Sequence, residues 1–461
     1  MKRHKHRIFG KTEYLHFVGI GGIGMSGLAI IMRNLGFRVS GSDLQPSEIT
    51  RRLKRLGIRV RYGHKRTNVK GADVVVYSSA IRRDNVETIE AEQKNIPLIH
   101  RAELLAELTR IKSAVCISGT HGKTTTTSIV SEVLQTGGLA PTTVIGGIVI
   151  GETQARLGAG DFLVCEVDES DKSFLRVYPS YAIITNIEAE HLDYYRDLDE
   201  IKEHFGYFAN HVPFWGCVLL GTDSTVSMDI KPLIRRRVIL YGLDSDVDLR
   251  AEALERFDFG TSFRARFHGK PVGRFRINLP GTHNVANALA AIGIGLELGI
   301  STEKIRDGLG HFRGVHRRIE YIGGVKGTRI FDDYGHHPTE IAVTLQTLRD
   351  YFPNQRIISV FQPHRFTRTY HLFDHFAISF LHADVVIVTE IYAAHEKPIP
   401  GVSGRALAKR IAREQESVHF MGNFAQILRF LKRTTRPGDI IIIQGAGDIN
   451  GIAPRLIKEL R

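Results

Sequence analysis

Ile117-Ser118-Gly119-Thr120-His121-Gly122-Lys123-Thr124-Thr125-Thr126-Thr127 is the stretch whose reading decides this chain. It follows a short apolar run, Ala114 to Ile117, that reads as a strand. It precedes Ser128 to Gly137, where Ile129, Val130, Val133 and Leu134 recur at helical spacing. A strand, a glycine-bearing turn and Gly-Lys-Thr opening a helix form the layout of a phosphate-binding loop. Backbone N–H groups and the helix N-terminus face the phosphates, Lys123 supplies a point charge, and the Thr124 hydroxyl suits Mg²⁺. The turn is two residues shorter than the common G-x-x-x-x-G-K-[ST] spacing. An ordinary Gly/Thr turn would have no need of Gly-Lys-Thr at the hand-over from strand to helix.

The chain around this loop has 461 residues, enough for about two to four domains with their own cores. With 43% apolar and 24% charged residues it is globular in composition. No run has the length to span a bilayer and no apolar signal core opens the sequence, so a cytoplasmic location without a membrane span is expected. Cys116, Cys165 and Cys217 form no C-x-x-C pair, which argues against a disulfide framework or a thiolate metal site. The net charge of +13 raises nucleic acid as a partner. The basic residues are dispersed, however, apart from an N-terminal arm (Lys2 to Arg7) and short clusters such as Arg235-Arg236-Arg237. Several anionic phosphorylated substrates account for the same excess, and no nucleic-acid partner is expected.

Before the loop, Tyr14 to Val18 reads as a strand, followed by Gly19-Ile20-Gly21-Gly22-Ile23-Gly24 and a helix to Asn34. The glycines fit G-x-G-x-x-G, and a second strand leads to Asp43, about where a ribose-binding carboxylate belongs. A third strand, Asp73 to Tyr77, ends in Ser78-Ser79-Ala80. After the loop, Asp161 to Val167 is an apolar strand with Glu166 inside it and Asp168-Glu169-Ser170-Asp171 behind it. Hard oxygen ligands at a strand end beside a phosphate loop suit Mg²⁺. The strand Tyr181 to Asn186 delivers Glu188, Glu190 and His191 to the same expected edge. Short alternations from Gly216 to Pro280 predict antiparallel strands, and Thr282 to Ala291 reads as a helix with His283, Asn284 and Asn287 on one face of its first turns. Four further strands, Arg329 to Asp332, Arg356 to Phe361, Asp384 to Thr389 and Asp439 to Gln444, alternate with helices and predict a parallel sheet. Polar loops follow them at Asp332 to Pro338, Gln362 to Thr369 and Gln444 to Asp448.

These motifs, in this order, resemble the Mur ligases, and within them the branch that joins L-alanine to UDP-N-acetylmuramate. The resemblance rests on His16 to Gly27, Gly119 to Thr124, Glu166 to Asp171, Asn186 to Tyr195, Gly281 to Asn284 and Asp332 to Glu340, and covers residues 14 to about 455. The shortened phosphate loop is the form this family uses. The resemblance implies an α/β chain of three domains. A basic arm (1–13) precedes a Rossmann-like UDP-sugar domain (14–110), a central ATP-binding domain with a mixed sheet of the P-loop ATPase type (111–318), and a Rossmann-like domain with a parallel sheet for nucleotide and amino acid (319–461). It implies peptidoglycan-precursor synthesis through an acyl phosphate, with ATP, UDP-N-acetylmuramate and L-alanine as substrates, two Mg²⁺ sites, and a monomer or homodimer.

Carried over residue by residue, Gly119, Thr120, His121, Gly122, Lys123, Thr124 and Thr125 hold ATP phosphates, with Lys123, Glu166 and His191 as the catalytic set. Thr124 takes one Mg²⁺, and Glu166 and His191 the other. His283, Asn284, Arg318 and Asp333 match nucleotide contacts. Gly19, Gly21, Gly22, Ile23, Gly24, Asp43 and Ser79 match the UDP-sugar end. Tyr334, His364, Arg365 and Arg368 match the group that places the alanine carboxylate, where a guanidinium suits a planar two-oxygen anion. Glu190 and His316 depart from the residues usual there, and no Lys stands at the offset where several relatives carry a carbamylated lysine. The nearest rival is the recycling ligase that joins a tripeptide to the same UDP-sugar; Gly-Ile-Gly-Gly-Ile-Gly and Glu-Ser-Asp-Lys-Ser-Phe favour the alanine ligase. A nucleic-acid-binding phosphate-loop ATPase is the rival from another class, and it lacks a basic-aromatic run.

Overall fold

Short runs of Val, Ile and Leu that are buried on both faces build parallel sheets, because helices must then cover each side. The computed structural model describes residues 8–82, 84–147, 150, 155–190, 194–244 and 246–460. The basic arm at Lys2 to Arg7 and the expected metal ligand His191 lie outside the described residues. The chain divides into two compact units, Met1–Arg313 and Gly314–Arg461.

Among the described residues the first unit holds two sheets. One has β1 (Tyr14–Val18), β2 (Arg38–Asp43), β3 (Arg59–Tyr62), β4 (Val74–Tyr77) and β5 (Leu98–His100), all parallel, in the order β3-β2-β1-β4-β5. The order reverses at β1, so the loop leaving it stands at the switch point where open α/β sheets bind ligands.

The second sheet carries β6 (Ser113–Ser118), β7 (Thr142–Val144), β8 (Ala155–Arg156), β9 (Phe162–Glu166), β10 (Tyr181–Ile184), β11 (Cys217–Gly221), β12 (Val238–Gly242), β13 (Leu249–Phe257), β14 (Gly260–Phe267) and β15 (Lys270–Ile277). Its order is β15-β14-β13-β12-β11-β10-β6-β9-β7-β8. The expectation of antiparallel strands from Gly216 onward needs correction. β10, β11 and β12 run parallel, and antiparallel pairing begins only where β14 meets β13. The short helix Thr225–Asp229 and the turn Lys231–Leu233 carry the chain back between β11 and β12, which a parallel pair requires. The helices Lys123–Thr136 and Thr282–Glu297 are buried along most of their length. Gly281 stands at the N-cap of the second, with no side-chain capping bond.

The second unit has β16 (Glu320–Val325), β17 (Thr328–Asp333), β18 (Ile357–Phe361), β19 (Val385–Val388), β20 (Val418–Phe420) and β21 (Ile440–Gln444), in the order β16-β17-β21-β18-β19-β20. The four expected strands form its parallel centre. β20 extends it in parallel, and β16 adds an antiparallel edge. β18 and β21, at the centre, are buried at every position.

Candidate active site

Register places the groups. β6, β9 and β10 lie side by side, with Ile117 level with Glu166 and Ser118 level with Ile184. Their C-terminal ends therefore release residues 119–122, 167–171 and 185–188 at one edge. Gly119 and Gly122 take φ of +133° and +79°, and a Cβ on Gly119 would lie 2.2 Å from Thr185 Oγ1. Only glycine fits such a turn.

The turn is clamped by β10's exit. Thr120 N donates to Asn186 O (2.9 Å) and His121 N to Asn186 Oδ1 (2.9 Å). Thr185 Oγ1 and Asn186 Nδ2 both donate to His121 O, at 2.6 and 3.1 Å. From the other side, Thr126 Oγ1 donates to Asn287 Oδ1 (3.0 Å), Asn287 Nδ2 to Asn284 Oδ1 (3.2 Å), and Asn284 Nδ2 to Pro280 O (2.7 Å). The helix that carries His283 and Asn284 is thereby tied to the phosphate loop, and Thr125 is buried in the same first turn.

Lys123 Nζ donates to Gly119 O (2.5 Å), Thr120 O (3.2 Å) and Glu169 Oε1 (2.7 Å). Burial disfavours its charge, but Glu169, Asp168 and Glu166 outweigh that and hold the ammonium above the usual lysine range. Burial pushes the Glu169 carboxyl up to about 7, and Lys123 draws it back. Three carboxyl groups around one ammonium keep the lysine charged. Thr124 Oγ1 donates to Glu166 Oε2 (2.9 Å), and Gly146 N donates to the same oxygen (3.0 Å). A hydroxyl and a carboxylate in contact at a helix N-terminus are the hard oxygen donors Mg²⁺ takes.

The glycine loop after β1 is held from β2. Gly19 N and Ile20 N both donate to Ser42 O (2.9 Å each), and Gly21 N donates to Asp43 Oδ2 (2.7 Å). The Asp43 carboxylate also takes Leu44 N (2.8 Å), so it anchors the loop's own backbone. Gly22 caps the helix Ile23–Asn34 without a side-chain bond, and Ser79 is exposed after β4. Arg101 links this loop to the acidic strand end. Its Nη2 is 3.4 Å from Asp168 Oδ2, and its Nη1 is 3.1 Å from where a Cβ on Gly24 would stand.

In the second unit, Asp333 is buried at the end of β17 and accepts from Ile319 N (2.9 Å) and Gly335 N (2.8 Å). It thereby sets the backbone on either side of Arg318 and Tyr334. Burial raises its carboxyl above the usual range. Arg318 Nη1 reaches Glu340 Oε1 (3.2 Å), and its guanidinium stands 5.5 Å from the Tyr334 ring centre. His364 stacks on Tyr392 with ring centres 5.5 Å apart, and Arg368 Nη1 lies 3.4 Å from its Nδ1. Burial, then His336, Arg368 and Arg365, push His364 down to about 4, so it is neutral and can accept from Arg368. Arg365 Nε donates to Glu396 Oε1 (2.6 Å), which also takes Thr367 Oγ1 (2.7 Å).

Sequence reasoning named Glu169 and Asn287 without giving either its own role, and it passed over Arg101, Glu340 and Glu396. Glu169 stood inside a run already singled out, and Asn287 follows Asn284 by one helical turn. Both carried a local signal; the other three are tertiary partners.

Family models match along the chain: "Mur ligase family, catalytic domain" over residues 14–113, "Mur ligase middle domain" over 117–295 and "Mur ligase, glutamate ligase domain" over 317–447. The chain is 50% identical over 444 residues to a UDP-N-acetylmuramate–L-alanine ligase of Desulfatibacillum aliphaticivorans, covering 96% of this chain and 97% of that one. It is 49% identical to the protein of the same name from Geotalea daltonii, covering 98% and 99%. Among solved structures it is similar to the UDP-N-acetylmuramate-alanine ligase MurC of Thermotoga maritima, with TM-score 0.82, 29% identity, and 96% and 98% of the two chains covered. A murein peptide ligase of Psychrobacter arcticus shares the fold, at TM-score 0.71 and 24% identity over 97% and 98% of the chains.

Proposed function

This chain belongs to the Mur ligase family, and from that premise we propose that it joins L-alanine to the lactyl carboxylate of UDP-N-acetylmuramate at the expense of ATP. The observation that carries the substrate choice is the near-50% identity, end to end, with ligases of that name. The tripeptide-recycling reading has behind it solved structures at 24% and 30% identity, well below the near-50% of the alanine ligases.

A carboxylate is a poor electrophile, so the reaction begins by transferring the ATP γ-phosphoryl to it. The alanine amine then attacks the acyl phosphate, and phosphate leaves from the tetrahedral intermediate. This asks the protein for alignment and for positive charge at the moving phosphoryl group. Lys123 exchanges the Gly119 and Thr120 carbonyls for β- and γ-phosphate oxygens, while Glu169 keeps its ammonium charged. The clamp of Thr185 and Asn186 fixes the loop's N–H groups so that little reorganisation accompanies phosphoryl transfer. Thr124 would hold one Mg²⁺, and Glu166 with His191 a second. When bound, these ions neutralise phosphate charge. His283, Asn284, Arg318 and Asp333 serve the nucleotide, with Asp333 acting through the loop it sets.

Gly19 to Gly24, Asp43 and Ser79 serve the UDP-sugar, Asp43 by holding the glycine loop in shape. Tyr334, His364, Arg365 and Arg368 serve the alanine carboxylate. We read the domains as 14–110, 111–318 and 319–461, the enzyme as cytoplasmic, and the active species as a monomer or homodimer. No described helix is long and apolar enough to cross a membrane.

The test is ADP release with ATP, Mg²⁺ and UDP-N-acetylmuramate, adding L-alanine, glycine, L-serine or the tripeptide singly. Dependence on both the UDP-sugar and L-alanine is expected; release with the tripeptide alone would assign the recycling reaction instead. Lys123→Ala should abolish turnover and leave UDP-sugar binding within about twofold, because the glycine loop lies on another sheet.

A further inference from the structure

The edge of the second sheet opposite the phosphate loop carries an aromatic and basic surface that the ligase reaction does not use. β10, β11 and β12 are adjacent and parallel, so the segments that enter them share one edge, away from the strand ends that deliver the catalytic groups. There the turn Val212 to Gly216 exposes Phe214 by 92% and Trp215 by 51%. Tyr207, one turn before the end of the helix Leu198–Asn210, is 58% exposed, and Leu233 is exposed as well.

Large apolar side chains left in water at the tip of a rigid turn, rather than scattered singly, mark a contact surface. This turn is rigid. Asn210 Nδ2 donates to Leu233 O (2.9 Å), Arg235 N donates to Asn210 Oδ1 (2.7 Å), and Arg236 Nε donates to Val212 O (2.5 Å). The same bonds bring cations beside the aromatics. Lys231 and Arg235 are exposed and form no ion pair among the described residues, and Arg236 bonds only backbone carbonyls. Arg237 is paired with Glu297 and does not count. Of the acids in these segments, Glu203 lies one turn before Tyr207, and Asp229, two residues before Lys231, is paired with Lys202.

We propose that this edge is a peripheral docking surface for an anionic lipid bilayer, with Phe214 and Trp215 entering the headgroup region and Lys231, Arg235 and Arg236 facing the lipid phosphates. The charge is complementary to such a surface, and aromatic rings settle at the headgroup level where one end is apolar and the other wet. Single-stranded nucleic acid would ask for successive aromatic platforms along a charged groove, whereas here one apolar tip, with Leu233 beside it, is ringed by cations. The inference goes beyond the ligase reading and does not depend on it. Docking on this edge leaves the phosphate-loop edge of the same sheet uncovered.

Trp215 is the only tryptophan in the chain, so its emission reports this edge alone. The intact protein is mixed with vesicles of phosphatidylcholine and with vesicles of phosphatidylcholine and phosphatidylglycerol. A blue shift with the anionic vesicles only, reversed by added salt, is expected. Phe214→Ser should weaken vesicle binding about tenfold. The pair Lys231→Ser and Arg235→Ser should weaken it about thirtyfold, with ligase turnover unchanged in every variant. An emission that ignores vesicles, or responds equally to both kinds, overturns the proposal. So does a response to single-stranded oligonucleotide or to protein concentration in place of vesicles.

Discussion

Lys123 Nζ stands 2.7 Å from Glu169 Oε1, and both side chains are almost closed to solvent. The phosphate-loop lysine is thus held by a buried carboxyl three positions beyond the end of β9, and that pairing has a pH signature. Burial raises Glu169 from 4.5 to about 7, so the folded protein binds this proton more tightly than the unfolded chain does. Its contribution to stability is full below pH 4.5 and is lost as pH climbs through about 7. Glu169→Gln should flatten the fall in apparent Tm across that window relative to the parent. Parallel Tm curves for the two proteins would show that Glu169 is already ionised there.

Gly119 gives a steric test of the same loop. At φ +133° and with Thr185 Oγ1 2.2 Å from a Cβ position, Gly119→Ala must move the exit of β10 as well as the loop. The expected cost is about 1–3 kcal/mol of stability and at least a tenfold loss in kcat/KM for ATP. The KM for UDP-N-acetylmuramate should stay within about twofold. A variant with normal ATP kinetics would mean that the loop does not cradle the phosphates.

The legibility of these features follows their range along the chain. Gly-Lys-Thr after an apolar strand has one common geometry, and an acid inside an apolar strand is costly unless used, so the loop and Glu166 could be read locally. The parallel placement of β11 and β12 could not, because the helix between them, Thr225–Asp229, is too short to show a period. Arg365 is given a carboxylate by the family resemblance. Its partner Glu396 is 31 positions away, and no spacing rule connects them. Asp43 is expected at the ribose because it stands where a βαβ nucleotide site places a carboxylate, and no spacing rule shows that its oxygens also accept from Gly21 N and Leu44 N.

Glu87 shows a buried acid of the opposite kind. It accepts from Ser42 Oγ (2.6 Å), Asn68 Nδ2 (2.5 Å) and Lys65 N (3.1 Å), and meets His16 Nε2 at 3.2 Å. Burial alone would raise its carboxyl, but the bonds from His16, Ser42 and Asn68 hold it down at about 2. A depressed carboxyl gives stability that is present above pH 4.5 and is lost as pH falls toward about 2. The shift corresponds to about 3 kcal/mol. Glu87→Gln turns an amide N–H₂ toward donors and should cost about 2–4 kcal/mol at neutral pH, read as a lower apparent Tm. It should also remove most of the acid sensitivity of that transition; an unchanged acid limb would place the sensitive group elsewhere.

Arg365 and Arg368 are both expected at the alanine carboxylate, and their contacts differ. Arg365 is locked to Glu396, its backbone is at φ +72°, and Glu396 also binds Thr367 N (3.0 Å). Its Nε bond to Glu396 helps to shape the turn, and we propose that Arg365 serves the alanine site mainly in this way. Arg368, one helical turn on, instead faces His364, which burial and its cationic neighbours keep neutral. A neutral imidazole adds no positive charge of its own beside the Arg368 guanidinium, which we propose receives the alanine carboxylate. Arg368→Ala should raise the KM for L-alanine by about 10–100-fold, with the KM for ATP within about twofold. Arg365→Ala should act mainly through lost order in the turn, lowering apparent Tm and kcat together. Because His364 titrates near 4, the KM for L-alanine should show no step near 6.5, the ordinary histidine value. A step at that pH, or an alanine effect larger for Arg365→Ala than for Arg368→Ala, would reverse the two roles.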